Sequence, residues 1–162
     1  NFSAWGGFAT TILLIVMFIG GCGGSTTCGI KVFRLQVLAS TAKVQISRLL
    51  RPHAVVLAYY NKRPVSVEVM DSVMGFFYLF ILGFALIAIM LGIAGLDFVT
   101  ALSGAATSIS NVGPGLGEVI GADGNFSTLP NSAKWIMSFA MLLGRLEIFT
   151  VLVMLNPAFW QR

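Results

Sequence analysis

Charge is what this chain has least of: Asp, Glu, Lys and Arg make up 10% of its 162 residues, against about 25% in a typical soluble domain. With 57% hydrophobic residues, so little charge excludes an ordinary water-exposed surface and points to a membrane protein. Histidine is limited to His53, read as a hairpin residue, and cysteine to Cys22 and Cys28. That excludes a zinc site and a disulfide framework, and the Cys22–Cys28 spacing matches no common metal motif. No nucleophile–base pair is visible, so enzymatic chemistry is not expected. Nor does a basic leader precede the first apolar run, and Asn1 is not an initiator. The chain is read as starting partway through a longer protein.

The ten basic residues are unevenly placed, and seven of them lie between Lys31 and Arg63. The stretch 96–131 has none and carries Asp97, Glu118 and Asp123. The positive-inside rule makes the first segment cytoplasmic and the second external. Because these charges flank hydrophobic runs, they report topology and argue against nucleic acid as a partner.

Residues 5–19 form an apolar run too short for a full span of about 20 residues. It enters Gly20-Gly21-Cys22-Gly23-Gly24-Ser25-Thr26-Thr27-Cys28-Gly29. Glycines cost about 1 kcal/mol each in a helix interior relative to alanine. The expectation is a membrane helix broken at 20–29, with an amphipathic cytoplasmic extension to residue 50. Two β-rich runs within 53–69, around Asn61-Lys62, predict a short cytoplasmic hairpin in a 51–70 linker, with Pro64 on an edge.

Residues 72–96 have no charge and predict a full span. Residues 97–110 predict a helix too short to cross, with Asp97 at its positive end. Asn111-Val112-Gly113-Pro114-Gly115-Leu116-Gly117 must be irregular, and residues 132–156 predict a last span. Arg145 and Glu147 fall near the centre of that apolar stretch. The order span, re-entrant helix, glycine loop, span is a pore-loop arrangement. Irregular backbone at membrane depth survives only where protein buries it or where it lines a watery cavity.

Asn1-Phe2-Ser3 recurs as Asn125-Phe126-Ser127, and at the same offset Gly20 matches Gly144 and Gly21 aligns with Arg145. This internal repeat predicts that the glycine break and the arginine lie at similar depth. A pore helix and loop would also be expected before Asn1.

Two readings of each feature stand at this point. Ser110, Asn111, Val112, Gly113, Pro114 and Gly115 form either a selectivity filter, with potassium at Asn111, Val112 and Gly113, or an external Gly-Pro turn. A filter needs backbone carbonyls to replace the ion's water shell. The glycine break is a gate or a passive kink. Arg145 is too costly to face lipid. It either faces the pore, as an electrostatic barrier or a hook for the gate loop, or belongs to a buried ion pair. The glycine run is no phosphate loop, because Ile30 stands where Lys would be needed.

Ser-Asn-Val-Gly-Pro-Gly-Leu-Gly (110–117) resembles the fourth filter of the Trk/Ktr bacterial potassium-uptake family. Residues 20–31 resemble that family's break in the second helix of its third repeat, and 142–149 its last helix. The resemblance spans nearly the whole chain and departs at Cys28, where the family usually has glycine. It implies an all-α membrane protein built of pore-loop repeats and multi-pass in the bacterial inner membrane. Residues 1–50 would belong to repeat three and 71–162 to repeat four. Gly20, Gly21, Gly23, Gly24, Ser25, Thr26 and Gly29 would form a gate with Arg145. Implied partners are membrane lipid, missing N-terminal repeats, a second copy in a homodimer, and a cytosolic TrkA-like regulatory subunit that alone binds nucleotide. Lys31, Arg34, Lys43 and Arg48 are either lipid-facing flank or a docking surface for that subunit. No covalent cofactor is implied beyond the transported potassium ion. Two further classes remain open: a cation-coupled potassium symporter, and a truncated fragment that conducts nothing alone.

Overall fold

Ser66 and Asp97 set where the two central helices begin. Each sits in extended conformation and accepts a backbone N–H three residues on: Val69 at 3.4 Å and Thr100 at 3.2 Å. Such caps satisfy donors that a helix start leaves orphaned. In the computed structural model, residues 5–22, 24–25, 27–51, 57–121 and 123–146 are described.

The chain is mostly helical: α1 (Gly6–Met17), α2 (Val32–Leu50), α3 (Val67–Ile93), α4 (Phe98–Ser110), α5 (Gly117–Ile120) and α6 (Asn131–Arg145). A 3-10 turn covers Phe126–Thr128. Between α2 and α3 two short strands, β1 (Tyr59–Tyr60) and β2 (Arg63–Pro64), pair antiparallel, with Tyr59 opposite Pro64 and Tyr60 opposite Arg63. Their turn is Asn61-Lys62, both at positive φ, the backbone of a two-residue hairpin turn. The Ser40 hydroxyl ties this hairpin to α2, donating to the Tyr59 carbonyl at 3.0 Å and accepting its N–H at 3.2 Å.

The hairpin is smaller than the sequence predicts. Val67–Val69, expected in its second strand, form the first turn of α3, which starts five residues before the expected 72. The Ser66 cap and the Glu68 carboxylate beside the positive helix end outweigh the β-preference of Val67 and Val69. The first expected strand overlaps residues 52–56, which lie outside the described residues. The third helix ends at Ile93 rather than 96, where Ala94 and Gly95 turn the chain into Asp97. The last helix closes at Arg145, and the expected remainder of that span, 147–156, lies outside the described residues.

With its 27 residues, α3 is the one described helix long and apolar enough to cross a membrane; α1 and α4 are shorter and apolar. Only 22% of α3's most apolar stretch is buried within the chain. Tyr78, Ile81, Leu86, Ile89 and Ile93 all face outward.

The core sits around α4, which lies against α3 on one side and α6 on the other. From Ser103 to Ser110 every residue of α4 is buried. The facing residues come at helical spacing: Phe80, Ile87 and Leu91 of α3, and Ala133, Met137 and Ala140 of α6. Small residues at the α4–α6 seam let the two backbones approach closely. Near the middle of α3, Phe18 meets Phe80 and Phe84 edge-on, at 6.1 and 5.0 Å between ring centroids.

Candidate functional site

The loop after α4 begins with a left-handed residue. Asn111 has φ 51°, and the Val112 N–H reaches back to the Thr107 carbonyl at 3.1 Å, so the helix closes in a Schellman-type cap. The Asn111 side chain donates from Nδ2 to the Met141 carbonyl of α6 at 3.1 Å. Gly113 has φ +115°, which side-chain-bearing residues rarely adopt.

The Thr107 hydroxyl pins Gly113 from both sides. It accepts the Gly113 N–H and donates to the Gly113 carbonyl, each at 3.0 Å. Four residues earlier on the same helix face, the Ser103 hydroxyl donates to the Leu116 carbonyl at 3.2 Å. The Gly115 N–H donates to the Ile120 carbonyl at 2.7 Å, which folds α5 back under the loop. Residues 111–114 stay exposed at the tip, while Gly115 and Leu116 are buried. Ser110 is buried at the end of α4, and its hydroxyl has no hydrogen-bond partner among the described residues.

A close approach joins this loop to α6. A Cβ placed on Gly144 would fall on the Ile109 carbonyl oxygen and lie 3.0 Å from Asn111 Nδ2. Glycine is therefore required at 144 for α4 and α6 to meet as they do.

The glycine-rich segment is held differently. Its neck is closed by backbone alone: Gly20 N–H to Ile30 carbonyl at 2.9 Å, Ile30 N–H to Phe18 carbonyl at 2.8 Å, and Val32 N–H to Gly21 carbonyl at 3.1 Å. Inside the loop, Ser25 and Thr27 share a 2.5 Å hydroxyl contact exposed to solvent. Gly23 and Thr26 lie outside the described residues.

Arg145 connects the two regions. Its Nη1 lies 4.0 Å from Cys28 Sγ. A cavity of about 100 Å³ is lined by Ser25, Thr27, Cys28 and Gly29 from the loop, Lys31 and Arg34 from the segment after it, and Gly144 and Arg145 from α6. Its lining holds three cations and no carboxylate. The Arg34 guanidinium stacks 3.7 Å from the Phe76 ring centre, closing the floor of the cavity. Positive charge is thus concentrated around this cavity. Glu147, weighed as a partner for Arg145, lies outside the described residues.

At the far end of α4, hydrogen bonds from Thr100, side chain foremost, hold the Asp97 carboxyl below its usual value, against the opposing effect of burial. No group of three or more metal-ligating side chains occurs among the described residues.

Residues 110–115 thus lie together at one end of α4, and Gly20, Gly21, Ser25 and Gly29 lie together in the loop at whose edge Arg145 sits. Sequence reasoning missed Thr107, Ser103 and Gly144. The first two were legible only as two of five hydroxyl residues on α4, with nothing local to mark them as the ones that reach the loop. The sequence repeat does name Gly144, without indicating the contact it makes.

The chain belongs to the TrkH family of cation transport proteins, whose family model matches residues 1–162. It is 47% identical over its full length to the Trk system potassium uptake protein TrkI of Halomonas elongata, covering 33% of that protein. It is 37% identical over 99% of its length to the Trk system potassium uptake protein TrkH of Escherichia coli (strain K12), again covering 33%. Its fold matches the crystal structure of the potassium transporter TrkH from Vibrio parahaemolyticus with a TM-score of 0.88 at 40% identity. That match covers 98% of this chain and 33% of the other. The chain therefore spans a third of the length of these relatives. The family is one of transporters, not enzymes.

Proposed function

We propose that this chain supplies one selectivity-filter segment and the gate loop of a potassium-uptake pore in a bacterial inner membrane. The observation that carries the reading is convergence. The exposed tip at 111–114 and the glycine loop at 20–29 are joined through Gly144 and Arg145, neighbours on one helix. In this reading 110–115 replaces part of the ion's water shell with backbone carbonyls, at Asn111, Val112 and Gly113. The loop 20–29 closes the path beneath, and the cations of Lys31, Arg34 and Arg145 raise a potassium ion's energy there until the loop moves.

The outward-facing apolar side chains of α3 support a membrane setting, and the chain is read as one part of a multi-pass protein. Residues 71–162 act as one pore-loop repeat and 1–50 as half of another. The pore is completed by further repeats, and a second copy and a cytosolic nucleotide-binding subunit of the TrkA type join the assembly. Transport runs through a channel-like pore rather than by coupling to a second cation, and this chain alone conducts nothing.

The test is potassium-limited growth of an uptake-deficient bacterium carrying the full parent protein, wild type against Gly113→Asp. Rescue by wild type and not by the variant, at equal membrane abundance, is the expected result. Equal rescue by both makes 110–115 an ordinary turn and overturns the filter reading. Uptake that persists when sodium and proton gradients are collapsed, with the membrane potential clamped, supports the uncoupled pore. Uptake that stops favours the symporter.

A further inference from the structure

A second cavity, of about 690 Å³ and open on one side, shares no lining residue with the first and lies between α2, the hairpin and the start of α3. Its lining divides by chemistry. Phe33 and Val37 of α2, with Val65 and Val69, make an apolar wall, while Tyr60 and Arg63 of the hairpin stand at the polar side. Arg63 is the only charged residue in that lining. No carboxylate pairs with its guanidinium among the described residues, and the exposed Glu68 is not part of the lining.

The position fits one occupant. The apolar helix α3 begins at Val67, so the groove lies where a hydrocarbon layer would give way to water. It lies on the side of the chain where basic residues gather, the side facing anionic lipid headgroups. Tyr59 and Tyr60 are exposed at the same level, as expected of aromatic side chains at a membrane boundary. A protein partner of the exposed hairpin has no need of an apolar wall continuing toward α3, whereas a lipid needs both parts. An apolar wall beneath a single uncompensated guanidinium is complementary to a phosphate on an acyl glycerol.

We propose that this groove binds an anionic phospholipid, the headgroup phosphate on Arg63 and the first acyl carbons against Phe33, Val37 and Val69. The site rests on the membrane reading of α3, but not on the filter or gate. Bound lipid there bridges α2 to α3 across the hairpin, and so tethers the helix that follows the glycine loop.

The test is native mass spectrometry of the full parent protein purified in detergent, titrated with phosphatidylglycerol or phosphatidylcholine of the same acyl chains. Wild type is expected to retain phosphatidylglycerol preferentially. Arg63→Ala should weaken that retention about fivefold, the worth of one basic residue at an anionic surface. Arg63→Lys should keep most of it, and Lys134→Ala, on α6 and outside the groove, should change nothing. Val69→Trp, which fills the apolar wall, should weaken retention of both lipids. Each variant is compared at equal folded yield by gel filtration. Equal retention by wild type and Arg63→Ala, or no preference between the lipids, overturns the proposal. So does weaker binding of the cytosolic regulatory subunit by Arg63→Ala with lipid retention unchanged, which would make the groove a protein contact. A parent protein recovered without detergent or membrane would instead sink the membrane reading itself.

Discussion

Two glycine-rich loops of this chain are held in opposite ways. The loop at 111–116 is fastened by side chains: Thr107 on both polar atoms of Gly113, Ser103 on Leu116 and Asn111 on α6. It also rests against α6 where Gly144 leaves no room for a Cβ. The loop at 20–29 is closed at its neck by backbone hydrogen bonds, and its interior hydroxyl contact is exposed to water. The same residue type therefore serves two ends. Glycine in the first loop permits one unusual backbone that side chains then fix, and in the second it lets the two sides of the neck approach until backbone alone closes it. In the function proposed above, the first arrangement serves discrimination between ions and the second serves movement.

The comparison breaks most severely at the seam. Gly144→Leu should push α4 from α6 and cost about 3 kcal/mol. Thermal unfolding of the full parent protein should show the loss, and potassium-limited growth should fail. Asn111→Ala removes one fastening and should cost about 1 kcal/mol. Growth should then weaken without failing, and amide exchange at 111–115 should quicken. Ser25→Ala, in the loosely held loop, should change stability by no more than about 0.5 kcal/mol because its contact is exposed. A stability loss as large as that of Gly144→Leu would show that both loops are equally fastened.

The smallest effect concerns pH. Thr100 lowers the Asp97 pKa in the folded chain, so the unfolded carboxyl takes up its proton at the higher pH. The contribution of this cap is present above the unfolded pKa and is lost as pH falls through the folded one. Amide exchange at the start of α4 should quicken across that acidic window in wild type and be insensitive to it in Asp97→Asn.

The residues made some of this legible and not the rest. Asp97 announces the start of α4 because a carboxylate before an apolar run is a capping signal. Asn61-Lys62 announces a turn between β-rich runs. The start of α3 was misplaced because three valines carry strand preference, while one serine three residues before Val69 decides the backbone. At 110–117 the motif marks an irregular loop, but the fastenings come from Thr107 and Ser103, two of five hydroxyl residues in a helix whose pattern does not say which of them reach the loop. The Ile109–Gly144 contact joins residues 35 apart in sequence, and no local pattern carries such a contact. For Arg145, sequence shows a charge in an apolar stretch. Its neighbour Cys28 lies 117 residues away and appears only in the fold.

The measurement that bears most directly on the division between the loops is ion selectivity of the full parent protein in liposomes, by tracer flux of potassium and sodium. Thr107→Val strips both hydrogen bonds from Gly113, and Thr27→Val alters the glycine loop. If one loop selects and the other gates, Thr107→Val lowers the potassium-to-sodium ratio, while Thr27→Val changes the total flux and leaves the ratio intact. A ratio unchanged by Thr107→Val, or one that falls with Thr27→Val, contradicts the account.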